Sequence, residues 1–287
     1  MLQDRIDSSL KKIDKKLLQY NLLPQQDWNS IEQVFIISTG RTGTQFFARF
    51  FNQFPDDVKS LHEPSPDFLS LAINYARGRV DFETAAKEIE RNRRVFCCEF
   101  KRKRVRLYIE SNNRFFSLMH PLRKAFPDSK IIYIVRDGRD YVRSGMSRRW
   151  YTENDKLPRM QATMFPDDPY ASQWEHMSRF EKITWRWQKK DGFINNDFQG
   201  LENAIKVKFE DIFYDPDRKG LFEITRFIGL DDETAQHFLA EMGDKKVNTN
   251  ARRVIPKWTD WDNEMKHDFD AIAGNHMKLH YDYEYMT

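Results

Sequence analysis

Residues 39–44, TGRTGT, and residues 133–148, YIVRDGRDYVRSGMSR, set glycines, hydroxyls and guanidinium groups at a spacing that suits an oxyanion. In the first stretch Gly40 and Gly43 let the backbone close on an anion, Arg41 supplies a forked cationic donor, and Thr42 and Thr44 supply hydroxyls. The apolar run QVFIIS (33–38) precedes this turn and a helix-like run from Gln45 to Phe54 follows it. Such a turn leaves N–H groups unpaired at the helix start, where the positive end of the helix dipole also favours phosphate. In the second stretch Arg136 leaves the apolar run KIIYIV (130–135) and Ser144 follows eight residues later, a little over two helical turns, so both can meet one oxyanion. Each stretch has a plainer reading by itself. The first is then a left-handed turn with a surface Arg, and the second a solvated helix whose Arg139, Asp140 and Arg143 pair one turn apart. Taken together, two anion sites at two strand ends fit a ligand phosphorylated at two ends. The nucleotide loop G-x-x-x-x-G-K-[ST] is longer and keeps a Lys where Thr44 stands, which disfavours hydrolysis of a Mg-nucleotide.

The elements that must position these residues alternate in type. Strand-like runs at 33–38, VFCCEF (95–100), VRLYIE (105–110), 130–135 and Ile205–Phe209 are interspersed with helical patterns at 67–78 and 81–92, the latter opened by an Asp81 cap. Further helices are expected at Phe115–Phe126, 173–191, 217–228, 232–242 and near 260–274. Apolar strands alternating with helices predict an α/β fold, a single domain whose central parallel sheet is flanked by helices. The proline-bearing stretch Trp150–Ser172 has the profile of a long functional loop, and a last loop spans Gly243–Lys257. Residues 2–18 form an amphipathic helix with Leu2, Ile6, Leu10, Ile13 and Leu17 near one side. The chain therefore divides into an arm (1–30) and a domain (31–287). The arm is expected to dock on its own domain, with peripheral contact to an anionic membrane as the alternative.

Forty-seven Lys and Arg against 44 Asp and Glu leave a net charge of only +3, too small a surplus to indicate a nucleic-acid partner. The longest apolar runs, such as Val34–Ile37 and Ile131–Val135, fall far short of the roughly 20 residues of a transmembrane helix. The first 20 residues carry charges throughout, so the mature chain is expected to begin at Met1. The adjacent Cys97 and Cys98 form no disulfide framework. They suit a reducing, cytoplasmic setting and read as core packing in a buried strand.

Four blocks in order make the sequence resemble the sulfotransferases that use 3′-phosphoadenosine 5′-phosphosulfate (PAPS). STGRTGTQFF resembles their 5′-phosphosulfate loop, so Gly40, Arg41, Thr42, Gly43, Thr44 and Gln45 are its expected cofactor contacts. IIYIVRDGRDYVRS resembles their 3′-phosphate element, in which Arg136 and Ser144 match the binding Arg and Ser. VKFEDIFYDP (207–216) resembles the segment between the anchors and the C-terminal loop. VNTNARRVIPKW resembles the loop that closes over PAPS, and it brings Arg252 and Arg253 to the cofactor phosphates. The resemblance covers about Ile31 to Tyr285 and implies a sheet related to that of P-loop kinases, with protein cations in place of a metal. Charge developing on the leaving phosphate oxygen would be met by Arg41 and the loop N–H groups.

An alcohol acceptor must lose a proton during transfer, which calls for a base within hydrogen-bond reach. Glu63, in LHEPSP, lies 22 residues after Arg41 and is presented between Pro64 and its neighbour His62, itself a second candidate. The resemblance to carbohydrate- and protein-tyrosine-modifying members favours Glu63. Glu110, in YIESNNR, is a third candidate base, or else orients the acceptor or pairs with Arg114. The acceptor is expected to be a glycan or other small molecule. The basic run Lys101–Arg106 either protects a sheet edge or recognises an anionic acceptor. Trp174, Trp185, Trp187, Trp258 and Trp261 are suited to stack on adenine or sugar, but their helical spacing equally suits a core. Two other functions remain open at this point: a kinase using ATP and Mg²⁺, and a non-catalytic polyanion binder using Lys101–Arg106.

Overall fold

The computed structural model describes residues 2–155, 157–242 and 254–281. In chain order the elements are α1 (Leu2–Gln19), β1 (Glu32–Ser38), α2 (Thr44–Phe51), β2 (Val58–His62), α3 (Leu69–Ala76), α4 (Phe82–Arg102), β3 (Leu107–Ser111), α5 (Met119–Ala125), β4 (Lys130–Val135), α6 (Gly138–Met146), α7 (Arg179–Phe198), β5 (Ala204–Lys208), α8 (Phe209–Phe213), α9 (Lys219–Phe227), α10 (Asp232–Met242), α11 (Asn263–Phe269) and α12 (Asn275–His280). A π-helical turn, Asp270–Gly274, joins the last two.

All five strands are parallel, in the order β2-β3-β1-β4-β5. The expected α/β architecture with helices on both faces is what forms. In β1 the pleat sends Val34 and Ile36 to one face, against Phe47, Phe50 and Phe51 of α2 and Leu221 and Ile224 of α9. It sends Phe35 and Ile37 to the other, where α4, α5 and α7 bury Ile89, Leu122, Ile183 and Trp187. Because the strands are parallel, the segments that follow β1, β2, β3 and β4 all emerge at one edge of the sheet. Glycine-bearing turns and charged side chains concentrate there.

One expected strand is a helix. VFCCEF continues α4, because the buried stripe Ala85, Ala86, Ile89, Arg93, Phe96, Cys97 and Phe100 keeps a helical period to the end of the segment. The Asp81 cap expected for this helix is present, its carboxylate accepting from Thr84 N at 2.8 Å. Cys97 is buried and its thiol is pushed up to about 12, chiefly by desolvation. The helix expected from Phe115 starts only at Met119, after a 3-10 turn at Asn113–Phe115. Pro121 explains the delay, since proline fits the first turn of a helix and not its interior. Helix α7 begins later than expected, at a capping box formed by Ser178 and Glu181.

Helix α1 lies along α4, held in part by charged pairs, with Leu10 and Leu17 of its apolar stripe half-buried. Arg102 pairs with Asp14 at 2.7 Å and Lys11 with Glu99 at 2.6 Å, while Ile6 and Ile13 stay exposed. Among the described residues no helix is long and apolar enough to cross a membrane.

Candidate functional site

The loop between β1 and α2 runs through three left-handed residues, Gly40 (φ 101°), Arg41 (φ 62°) and Gly43 (φ 73°). A side chain at Gly43 would also meet the ring of Phe213 at 2.5 Å, so this position is glycine for two reasons. Ser38, the last residue of β1, braces the turn: its Oγ accepts from Gly40 N at 3.2 Å and from Thr42 Oγ1 at 2.7 Å. No side chain caps the start of α2, so its N-terminal dipole faces outward from the loop.

Arg136 leaves β4, the neighbour of β1, and is 9% exposed. Its guanidinium lies over the Phe209 ring, 4.1 Å from the centroid, and Nη1 donates to the carbonyl of Arg41. The following helix, α6, sits close against α7, where a side chain at Gly138 would strike Trp187 at 2.6 Å. That contact places Ser144, 5% exposed, beside the loop, and its Oγ accepts from Arg41 Nε at 2.9 Å. The two stretches read from the sequence as anion elements thus meet across adjacent strands.

Glu63 follows β2 at the same edge, with its backbone at φ 42°. Its Oε1 accepts from Asn113 Nδ2, and its Oε2 lies 3.5 Å from Arg114 Nη2. His62 points elsewhere: its Nδ1 is 3.3 Å from the carbonyl of Ser111. Glu110 is wholly buried, and its oxygens are taken by Arg93 (2.8 and 2.9 Å), Tyr108 OH (2.6 Å) and Asn112 Nδ2 (2.8 Å). The alternative pairing of Glu110 with Arg114 does not occur. Tyr108 and Glu110 alternate onto the face covered by α4, where Arg93 meets them, whereas Arg114 lies beyond the strand end. Arg93 also donates to the carbonyls of Pro64 (3.4 Å) and Pro66 (3.1 Å), so the Glu110–Arg93 pair holds the loop that presents Glu63.

Sequence reasoning did not find Lys190 or Asn113. Lys190, on α7, is 2% exposed and donates to Thr39 O and Asn113 O, both at 2.9 Å. It ties the β1 loop to the residue that holds Glu63. Desolvation, with the charges of Arg186 and Arg114, pushes its ammonium well below the usual lysine range. A signal was available, because Lys190 falls on the apolar stripe Ile183, Trp187, Ile194, and a charged residue on such a stripe asks for a partner.

The basic run Lys101–Arg106 lies at the opposite edge, at the end of α4 and the start of β3. Arg102, Lys103 and Arg106 are engaged there with Asp14, Glu99 and Asp57. Trp174, Trp185, Trp187 and Trp261 are buried in the core, and Trp258 lies against Arg139 at 3.6 Å. Arg252 and Arg253 lie outside the described residues. Among the described residues no cluster of His, Cys, Asp and Glu could hold a metal ion.

A family model of the sulfotransferase domain matches residues 32–278, and the chain belongs to that family. Solved structures agree in fold. The sulfotransferase STF9 from Mycobacterium avium is 12% identical with a TM-score of 0.57, covering 94% of this chain and 81% of its own. Mouse sulfotransferase SULT7A1 complexed with PAP is 18% identical with a TM-score of 0.50, over 86% of this chain and 85% of its own. The sulfotransferase domain of the Synechococcus PCC 7002 olefin synthase is 17% identical, TM-score 0.50, over 91% and 99% respectively. A search of curated protein sequences gives no match.

Proposed function

We propose that this sulfotransferase moves the sulfuryl group of PAPS to a hydroxyl of a small-molecule or glycan acceptor, with Glu63 as the base. The observation that carries the reading is the joining of the β1 loop to Arg136 and Ser144 at one sheet edge, with the Glu63 carboxylate on that same edge.

The residues present suit such a donor. Arg136 Nε is buried and has no hydrogen-bond partner among the described residues, and the start of α2 carries no capping side chain. Arg136 and Ser144 would hold the 3′-phosphate, and Gly40, Arg41, Thr42, Gly43, Thr44 and Gln45 the 5′-phosphosulfate, with Arg252 and Arg253 assigned to the phosphates by family resemblance alone. The donor supplies an activated sulfuryl group. Arg41 and the loop N–H groups stabilise charge on the leaving phosphate oxygen, and Glu63 takes the proton of the acceptor hydroxyl. Asn113 and Arg114 hold the Glu63 carboxylate. Glu110 is not given the base role here, because Arg93, Tyr108 and Asn112 surround its carboxylate in the interior.

The test is a thermal-shift series on the full chain. Stabilisation by 3′-phosphoadenosine 5′-phosphate (PAP) without metal supports the reading, and stabilisation only by ATP with Mg²⁺ overturns it. Glu63→Gln is expected to keep PAP binding and to lose transfer of label from PAPS. Near-normal turnover in that variant would remove Glu63 as the base.

A further inference from the structure

Arg186 projects from α7 one turn before Lys190 and is 6% exposed. Its Nε and Nη1 are shut off from water and donate to nothing among the described residues. Its guanidinium lies on the ring of Trp150, 4.6 Å from the centroid, and that of Arg159 lies 4.9 Å from the same ring. Arg159 is already paired with Asp155, at 2.9 Å through Nη2. A guanidinium stripped of water with two donors unused is costly unless an oxyanion completes it.

Its surroundings say where that oxyanion would come from. One turn further along α7, Lys190 donates to Asn113 O at 2.9 Å, and Asn113 Nδ2 donates to the Glu63 carboxylate. Tyr151 and Arg159 line a cleft of about 340 Å³, formed with Trp174, Lys182 and Pro158 under the 150–172 segment. Arg186 thus shares the Trp150 ring with Arg159 of the cleft and lies one helical turn from Lys190, whose partner Asn113 holds the Glu63 carboxylate.

We propose that the acceptor is an acidic molecule whose carboxylate or sulfate group is gripped by Arg186 while its hydroxyl faces Glu63. This rests on the sulfotransferase reading given above. The planar fork of a guanidinium suits two oxygens of one oxyanion, and the Trp150 ring fixes its plane. The acidic acceptor that the basic run Lys101–Arg106 suggested is thus recognised elsewhere, at the carboxyl edge of the sheet.

The test uses the full chain saturated with PAP and calorimetric titration with matched acceptors: 4-hydroxyphenylacetate against its amide, glucuronate against methyl glucoside, and a sulfated against an unsulfated monosaccharide. At least one acidic member is expected to bind tenfold or more tightly than its neutral partner, with carboxylate and sulfate arms showing which oxyanion is preferred. Arg186→Gln is expected to erase that preference while PAP affinity stays within about twofold, and Arg186→Lys to keep part of it. Equal affinity within every pair, no binding of any acid, or a preference that survives Arg186→Gln overturns the proposal. A merely structural Arg186 would lower Tm in both variants and leave the acid-to-neutral ratio unchanged. Failure of the wild-type chain to bind PAP would instead overturn the donor assignment.

Discussion

Arg41 Nε donates to Ser144 Oγ at 2.9 Å, joining the loop after β1 to the second turn of α6 across 103 residues of sequence. The bond forms because β1 and β4 are neighbours in register, with Ser38 opposite Ile134, so whatever leaves their carboxyl ends shares one edge. An arriving phosphate would compete for the same donors. Ser144→Ala is expected to weaken PAP binding by roughly tenfold, the scale of one hydrogen bond to a charged group, and to leave Tm nearly unchanged. Calorimetric titration with PAP checks it, and an unaltered Kd would exclude Ser144 from the donor site.

Glu63 and Glu110 are expected to separate cleanly. Glu110→Gln leaves the Arg93 guanidinium buried with its charge partner gone, and losing one member of a buried pair costs about 3–5 kcal/mol. That variant should unfold at a markedly lower urea concentration. Glu63 is only part-buried and shares its carboxylate with Asn113 and Arg114, so Glu63→Gln should leave the urea midpoint close to wild type and remove turnover. Equal stability of the two variants would refute the buried-pair assignment of Glu110.

How far these roles could be read in the sequence depends on whether the deciding contact is local. The β1 loop and the Arg136–Ser144 spacing are local patterns, each set by a strand running into a helix, and both were legible. VFCCEF was not, because a six-residue run with five apolar residues suits a buried strand and a buried helix equally. What decides is a stripe that begins at Ala85, nearly three turns earlier. The fate of Glu110 depends on Arg93, which reaches it only after α4 packs over β3. Lys190 reaches the β1 loop because of how α7 is rolled against α6, and the Gly138–Trp187 contact between those helices joins residues 49 positions apart.

That helix contact gives the third prediction. Trp187 is fully buried, so its ring has nowhere to go if a methyl group is placed at position 138, 2.6 Å from it. Gly138→Ala is expected to cost about 1–3 kcal/mol through overpacking. Because α6 must shift, PAP affinity should fall as well, although residue 138 is not assigned any contact with PAP. Trp187→Phe on the same background should restore part of the affinity. A fully stable Gly138→Ala variant in a urea titration would show that the two helices have room to spare.

The last prediction concerns Asp197, near the end of α7, whose carboxyl is pushed up to about 6 by burial, against the opposing pull of His120 and the Met119 N–H. Its ordinary value is 3.8, so the folded chain holds this proton at pH values where the unfolded chain has released it. The raised value therefore contributes stability that is complete below about pH 4 and lost as pH rises through about 6, above which the fold carries an ionised, largely buried carboxylate. A shift of this size corresponds to roughly 3 kcal/mol, and water that still reaches the group reduces it to roughly 2. Asp197→Asn removes the ionisation and keeps an acceptor for the Met119 N–H. The variant is expected to be more stable than wild type by up to roughly 2 kcal/mol at pH 7.5, with the advantage shrinking to nothing by about pH 4. Urea titrations of both proteins at four or five pH values measure this difference directly. A stability gap that does not change between pH 4 and pH 7.5 would mean that the Asp197 carboxyl titrates alike in the folded and unfolded chains.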